Sequence, residues 1–304
     1  MANLPLISIV TVNFNGLLQT EALLNSLQKI SYAPIETFVV DNGSSESLTT
    51  LQAKFPEVVF IFSKENLGFA GGNNLAIEQA KGKYLLLLNN DTEVDATFLE
   101  PMVLLMEANE KIGVVSSKLL YFNNSNTLQY AGSTGINKYT GRGFAIGFNE
   151  LDADKYTKSY QTQLAHGAAM MIRKKTIESI GLMAELFFLY YEEVDFCERV
   201  KRAGFEIWYC GASKVFHKES MSVGKESPLQ MYYLTRNRLI FMRRNSKGLE
   251  LLSALLFFVF ISYPIGFLRL LLKGELSLLW AFNKGLFWNL FHHGIFENKV
   301  LNKL

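Results

Sequence analysis

A few side chains in this 304-residue chain have the types and spacing to do chemistry together: Asp41, Asp91, Glu192, Glu193 and His217. Asp91 follows Leu85-Leu86-Leu87-Leu88-Asn89-Asn90, an apolar run that stops abruptly at polar residues. A carboxylate there can hold a divalent cation, and a cation suits a diphosphate. Asp41 closes a similar run, Val39-Val40-Asp41-Asn42-Gly43-Ser44. Asn and Asp side chains at such ends can read the edge of a base or a ribose. Glu192 and Glu193 sit in Tyr190-Tyr191-Glu192-Glu193-Val194-Asp195-Phe196-Cys197. At about 100° per residue, Glu193 falls in the middle of the helical face made by Phe196, Cys197, Val200 and Ala203. On the same wheel Glu192, Asp195, Glu198, Arg199 and Arg202 point outward. A carboxylate among apolar groups has a raised pKa, which suits a general base. The helix macrodipole explains acids such as Glu192 and Asp195 in a first turn, but not an acid on the apolar face. His217, expected just past a strand at 206–210, would complete a cation site with Asp91.

These residues need elements to position them. Strand-like runs at 7–12, 35–40, 58–62 and 84–88 alternate with helical patterns at 17–28, 47–54 and 70–80. That alternation predicts an α/β fold, a parallel sheet between helices. Ligands in such sheets bind beyond the carboxyl ends of the strands. The polar tips are Thr11-Val12-Asn13-Phe14-Asn15-Gly16, the segment at Asp41, Asn66-Leu67-Gly68-Phe69-Ala70-Gly71-Gly72-Asn73-Asn74, and Asn89-Asn90-Asp91. Each tip alone resembles ordinary turn chemistry. Four along one edge point to a shared nucleotide site. No G-x-G-x-x-G follows the first strand, and no G-K-[ST] closes the 68–72 loop. The nucleotide is therefore expected to be held by base and sugar, with its phosphates on a metal. A fifth strand is expected at 112–117. Residues 121–162 read as a long irregular segment, and long loops in compact domains tend to be functional. Order returns at 167–173, in a helix near 192–203, and in the strand at 206–210.

The chain is 49% apolar and 13% aromatic, enough for a sizeable core. A net charge of +2 argues against broad nucleic-acid binding. The two cysteines, Cys197 and Cys210, fit a reducing compartment. The first residues lack a charged region followed by a cleavable apolar segment, so no signal peptide is expected. Composition changes after about residue 226, which suggests residues 1–225 as one domain and 226–304 as a basic and apolar helical region. Residues 231–244 carry Arg236, Arg238, Arg243 and Arg244. The stretch 251–268 is uncharged for 18 residues, the lower limit for a spanning helix, with Pro264 and Gly266 expected to interrupt it. The stretch 276–296 mixes Trp280 and Trp288 with Asn283, Lys284, Asn289, His292 and His293, which suits a helix lying in a membrane interface. Basic residues at 236–247 suit a cytoplasmic, anionic membrane surface. We read the tail as a monotopic hairpin in preference to a span. A homodimer interface made by the same helices is the alternative.

The motifs quoted above, in order, resemble glycosyltransferase family two over residues 5–245, especially its bacterial rhamnosyltransferase-like branch. The resemblance implies the GT-A fold of nucleotide-diphospho-sugar transferases, a Rossmann-like mixed sheet between helices, here with a C-terminal apolar helical appendage. It implies inverting transfer from a nucleotide-diphosphate sugar to a saccharide or lipid-linked saccharide in surface-polysaccharide assembly. A deoxysugar donor such as dTDP-rhamnose fits that branch. Asp41 would contact the pyrimidine base. Thr11, Asn13, Asn66 and Asn73 would line the nucleoside pocket, with Asn15, Gly68 and Asn89 also on the donor side. Asp91 matches the last acid of the family's D-x-D motif and would bind Mg2+ or Mn2+, completed by His217. Glu193 matches the second acid of an E-D pair and would be the base, with Glu192 the other candidate. The chain departs from the family in having Asn89 for the first D-x-D acid and Glu193 for the usual Asp. Arg236 and Arg238 are candidates to neutralise the leaving diphosphate, though a basic membrane flank explains them equally. His166-Gly167-Ala168-Ala169 matches a segment near the acceptor, making His166 and Gly167 acceptor candidates. A nucleotidyltransferase and an inactive nucleotide-sugar-binding scaffold at the membrane are the competing readings.

Overall fold

The computed structural model describes residues 4–218 and 227–292. The first half runs β1 (Ile7–Asn13), α1 (Leu17–Leu27), β2 (Ile35–Asn42), α2 (Thr49–Lys54), β3 (Val59–Ser63), α3 (Gly68–Ile77), β4 (Tyr84–Leu88) and β5 (Thr92–Val94). Next come α4 (Leu99–Ala108), β6 (Ile112–Tyr121), β7 (Asn124–Tyr130), β8 (Tyr160–Thr162), β9 (Ala169–Arg173), α5 (Lys174–Ile180), α6 (Glu192–Arg202) and β10 (Glu206–His217). The remainder is helical: α7 (Pro228–Asn245), α8 (Gly248–Phe257), α9 (Tyr263–Leu272) and α10 (Leu276–Phe291).

One sheet holds the strands in the order β3-β2-β1-β4-β9-β6-β10-β5, with β7 beside β6 and β8 beside β10. The pairs β1–β2, β1–β4 and β2–β3 are parallel, so the four apolar runs end at one edge as expected. The sheet becomes mixed where β9 inserts antiparallel between β4 and β6. Every residue of β4 is buried, because helices cover both faces. One face packs Ile7, Ile9 and Leu86 against Leu23 and Leu27 of α1 and Met102 and Met106 of α4. The other packs Val10, Leu85 and Leu87 against Ala76 and Ile77 of α3 and Phe196 and Val200 of α6.

Several expectations are corrected. The segment 121–162 is not irregular throughout, since β7 and β8 join the main sheet. The last strand runs on to His217, which ends it instead of lying beyond it. A register shift between Cys210 and Lys214 breaks the alternation there, which hid the continuation. Pro264 and Gly266 do not end the apolar helix: residues Gly248–Leu272 form one 25-residue helical run. A π turn at Phe258–Ser262 precedes Pro264 and re-spaces the hydrogen-bond ladder around its missing N–H. The 276–296 stretch is helical to Phe291, and His293 to Phe296 lie outside the described residues.

The arginines of α7 do not form an exposed basic stripe. Arg244 pairs with Asp195 of α6 at 3.0 Å, and Arg243 bonds the side chain of Asn289 on α10. Arg236 donates to the carbonyls of Leu186 and Phe187 and lies over Trp288, 4.3 Å from its ring centre. Their role is to seat the C-terminal helices on the α/β body. In α10, Leu278, Ala281, Phe282, Gly285 and Asn289 face inward, while Trp280, Phe287, Leu290 and Phe291 are exposed.

Candidate active site

Asn13 ties three strand tips together. Its amide donates to Asp41 at 3.3 Å and to Ser44 at 3.0 Å, while its carbonyl oxygen accepts from Gly16 N, Thr20 and Asn90. The ends of β1, β2 and β4 are thereby fixed to one another. Asn15, at φ 53°, accepts from the backbone and hydroxyl of Ser45. Thr11 is fully buried beneath this edge, with its hydroxyl unpaired.

The third tip is held separately. Asn42 donates to Asn66 Oδ1 and to the carbonyl of Gly68, and accepts from Leu67 N. Asn66 also accepts from Gly68 N. Asn73 is buried and donates to the Phe69 carbonyl of its own helix, so it braces α3 internally. Gly68 has φ +72°, and a Cβ there would stand 2.1 Å from Phe188 O. That glycine lets the turn before α6 close on α3, where Phe69 N donates to Phe188 O at 2.7 Å.

The turn before α6 is strained. Phe188, Tyr190 and Tyr191 have φ of 65°, 67° and 75°, conformations that bulky side chains rarely adopt. Asn237 of α7 holds it there. This residue is fully buried, and its amide reaches the carbonyls of Phe187, Leu189 and Tyr190 at 2.7–2.8 Å. Nothing in the local sequence singled it out.

The helical wheel misplaced the acids of α6. Glu192 and Asp195 are 3% and 1% exposed, whereas Glu193 is partly open. The side taken as solvent-facing is covered by α7, whose Arg244 and Asn245 bind Asp195. Burial alone would raise the Asp195 pKa, but Arg244 and Arg199 more than offset it. Glu192 has one carboxylate oxygen buried without a partner. Burial and the adjacent Glu193 push its pKa well above the usual carboxylate range. Burial also raises Glu193. Glu193 lines a cavity of about 460 Å3 with Tyr190, Tyr191, Leu234, Arg142 and Arg238.

Next to Glu193, the 166–168 turn links the cavity to the strand tips. A Cβ on Gly167 would lie 3.7 Å from Glu193 Cβ and from Phe69. Asn89 N donates to Ala168 O at 3.0 Å. The His166 ring packs edge-on to His217, 6.1 Å between centres. His166 Nδ1 accepts from Ala168 N. Burial and His217 lower the His166 pKa to about 3, so it is neutral.

His217 Nε2 stands 3.1 Å from Asp91 Oδ1, and its Nδ1 stands 2.7 Å from Gln129 Oε1. An amide oxygen only accepts, so Nδ1 carries a proton; Nε2 donates to Asp91, and on giving up that proton it presents a lone pair to a cation held between the two. Two ligands of one Mg2+ at about 2.1 Å sit about 3 Å apart in octahedral geometry. The Asp91–His217 pair fits that spacing. Among the described residues no third His, Cys, Asp or Glu joins them. Such a cation takes its other ligands from phosphates and water.

The structure thus brings Asp91, His217, His166, Gly167 and Glu193 into one continuous stretch, with Asp41 joined to the Asp91 tip through Asn13 and Asn90. Arg238 lines the cavity with Glu193, but Arg236 does not and instead serves the 186–187 carbonyls.

The mixed sheet between helices is a GT-A-type fold. Solved structures with the same architecture include GalNAc-T7 with UDP, GalNAc and Mn2+ (TM-score 0.60, 17% identity, 76% of this chain and 48% of that one). Others are S. aureus TarS 1–349 (0.57, 16%, 86% and 74%) and the mannosyltransferase PcManGT from Pyrobaculum calidifontis with GDP-Man and Mn2+ (0.58, 11%, 97% and 77%). The chain belongs to glycosyl transferase family 2, whose model matches residues 8–181. It is 29% identical over 245 residues to the low-salt glycan biosynthesis hexosyltransferase Agl10 of Haloferax volcanii, covering 79% of this chain and 76% of that protein. It is 27% identical over 209 residues to the O-antigen biosynthesis protein RfbC of Myxococcus xanthus, covering 64% of this chain but 16% of that much longer protein.

Proposed function

We propose that the chain is an inverting glycosyltransferase of cell-surface glycan assembly, working at the cytoplasmic face of a membrane on a saccharide or lipid-linked saccharide. The observation that carries this reading is a raised-pKa carboxylate, Glu193, facing a cavity and packed on the turn that leads to the Asp91–His217 pair. The names of Agl10 and RfbC support the glycan context, and the UDP and GDP-Man of the solved relatives support a nucleotide donor. A deoxyhexose donor such as dTDP-rhamnose is carried forward from the family branch the motifs resemble.

Asp91 and His217 would hold Mg2+ or Mn2+, which supplies positive charge to the leaving diphosphate. Glu193 takes the proton from an acceptor hydroxyl. The freed oxygen attacks the anomeric carbon from the face opposite the diphosphate. One C–O bond forms as the other breaks, and the nucleoside diphosphate leaves with the electron pair. Asp41, tied to Asn13, is the candidate contact for the base. Gly167 packs between Glu193 and Phe69, where an added Cβ would already touch both at 3.7 Å. Aligning the reactants in this way supplies much of the acceleration.

A thermal-shift screen of nucleotide sugars with Mn2+ or Mg2+ tests the reading. One donor is expected to raise the melting temperature in a metal-dependent way. Release of pyrophosphate from a nucleoside triphosphate, with no response to any nucleotide sugar, would favour a nucleotidyltransferase instead.

A further inference from the structure

Arg142 and Arg238 come from a loop and a helix 96 residues apart in number, yet both donate to one hydroxyl, Ser262 Oγ, at 3.3 Å. Both line the cavity that holds Glu193. Among the described residues neither forms an ion pair with a carboxylate. Arg238 is half-buried, and its Nε is enclosed without a partner, although its Nη2 reaches the Thr140 carbonyl. Two guanidinium groups facing one cavity, with Glu193 its one acidic side chain and paired with neither, repel each other and leave donors unused. An anion in the cavity would relieve both costs.

The position of the pair narrows the anion. Ser262 belongs to the 25-residue apolar helical run, whose Phe260, Ile261 and Ile265 are exposed on either side of it. Phe257 and Phe258 of that run lie under Arg142 and Arg238. The cavity therefore carries a carboxylate and two cations, and those cations rest on Ser262, Phe257 and Phe258 of a helix whose outer side is apolar and exposed. That sequence of surfaces matches a molecule with a hydroxyl, a phosphate and a lipid chain in that order.

We propose that Arg142 and Arg238 form an anion subsite for the phosphate of a lipid-borne acceptor, seating its sugar hydroxyl at Glu193. This rests on the transferase reading and adds the acceptor's phosphate and the residues that hold it. It reassigns Arg238 from the donor's leaving diphosphate to the acceptor. The same cations could in principle take the donor diphosphate, so the test separates the two sources.

The test uses the full chain in mild detergent and equilibrium dialysis with labelled farnesyl diphosphate, farnesol, and uridine or thymidine diphosphate plus Mn2+. The native chain is expected to bind farnesyl diphosphate better than farnesol. Arg142→Gln and Arg238→Gln should each weaken farnesyl diphosphate by about tenfold or more, the usual loss for a charge-assisted contact, with nucleotide binding unchanged. Arg142 is exposed, so its variant reads the subsite even where Arg238→Gln disturbs α7. Farnesol binding equal to farnesyl diphosphate, undiminished farnesyl diphosphate binding in folded Arg142→Gln, or a loss confined to the nucleotides would each overturn the proposal. Failure of both nucleotides to bind the native chain would instead overturn the pyrimidine donor assigned to Asp41, while the farnesyl diphosphate arm still scores the subsite.

Discussion

His217 and Asp91 are 126 positions apart in the chain, and their side chains meet at 3.1 Å. The contact exists because β10 runs antiparallel to β5, which sets His217 opposite Thr92. Gln129 of β7 then fixes the ring from behind at 2.7 Å. Residues that orient a metal-binding histidine commonly change metal affinity by about 10- to 100-fold when removed. Gln129→Ala should therefore raise the Mn2+ concentration needed for half-maximal nucleotide-induced thermal shift by at least about tenfold. His217→Ala should abolish the metal-dependent shift. An unchanged Mn2+ requirement in Gln129→Ala would show that the ring needs no such support.

The two adjacent acids of α6 should behave differently. Glu193 faces the cavity, so Glu193→Gln should keep donor affinity and lower transfer at least about 100-fold, a usual general-base effect. A general base must be ionised to work, and the Glu193 pKa is raised. Activity should then fall on acidification at a pH above the ordinary carboxylate value of 4.5. Glu192 is buried with an unpaired oxygen, so Glu192→Gln should lose far less activity. Its folded-state pKa is raised, so its contribution to stability is full below the ordinary value of 4.5 and is lost as pH rises from there through the folded value. Glu192→Gln should therefore melt higher than the native chain at pH 8, by about 2–4 °C for each kcal/mol recovered, and show little gain at pH 5. Equal loss of transfer in both variants would reopen which acid is the base.

These acids also show what the sequence could and could not reveal. Buried parallel strands announce themselves as apolar runs, so the tips at Asn13, Asp41, Asn66 and Asp91 were legible. The wheel for α6 located the acids but inverted their exposure. It assumed a single apolar interior, whereas α7 covers the other side with polar contacts from Arg244 and Asn245. Gln129, Asn237 and Arg142 matter only through partners 88, 50 and 120 positions away. No local pattern encodes such pairings. The end of β10 was hidden by its bulge, which interrupts the alternation that marks a strand.

Gly68 and Gly204 offer a paired test of how the turn before α6 is held. Both have positive φ, +72° and +83°. A Cβ at Gly68 would meet the backbone oxygen of Phe188 at 2.1 Å, while nothing lies within 4 Å at Gly204. Gly204→Ala should cost only the conformational strain of about 1–2 kcal/mol. Gly68→Ala should cost that and also push the Phe188 turn off α3, displacing Tyr190, Tyr191 and Glu193. Urea unfolding should rank Gly68→Ala clearly below Gly204→Ala, and transfer should fall about 100-fold or more only in Gly68→Ala, as misplacement by about 1 Å commonly does. Equal stability and activity in the two variants would mean that the turn does not depend on this close approach.

The exposed side of the apolar helical run is the surface that the proposed membrane contact requires. Phe260 and Ile265 are 69% and 61% exposed, in a run where most large apolar side chains face outward. Exposed apolar area on this scale marks a membrane or protein contact. Neither side chain belongs to the buried cluster that joins Phe258 to Phe187 and Ile240. Phe260→Glu with Ile265→Glu should therefore leave melting temperature and nucleotide binding near native. Native protein should float with phosphatidylcholine vesicles containing anionic lipid, and the double variant should stay at the bottom of the gradient, because charges at an interface offset burial of the apolar face. If the native chain does not float, and the substitutions instead convert a dimer to a monomer by light scattering, the same face serves a second copy of the chain and the membrane reading fails.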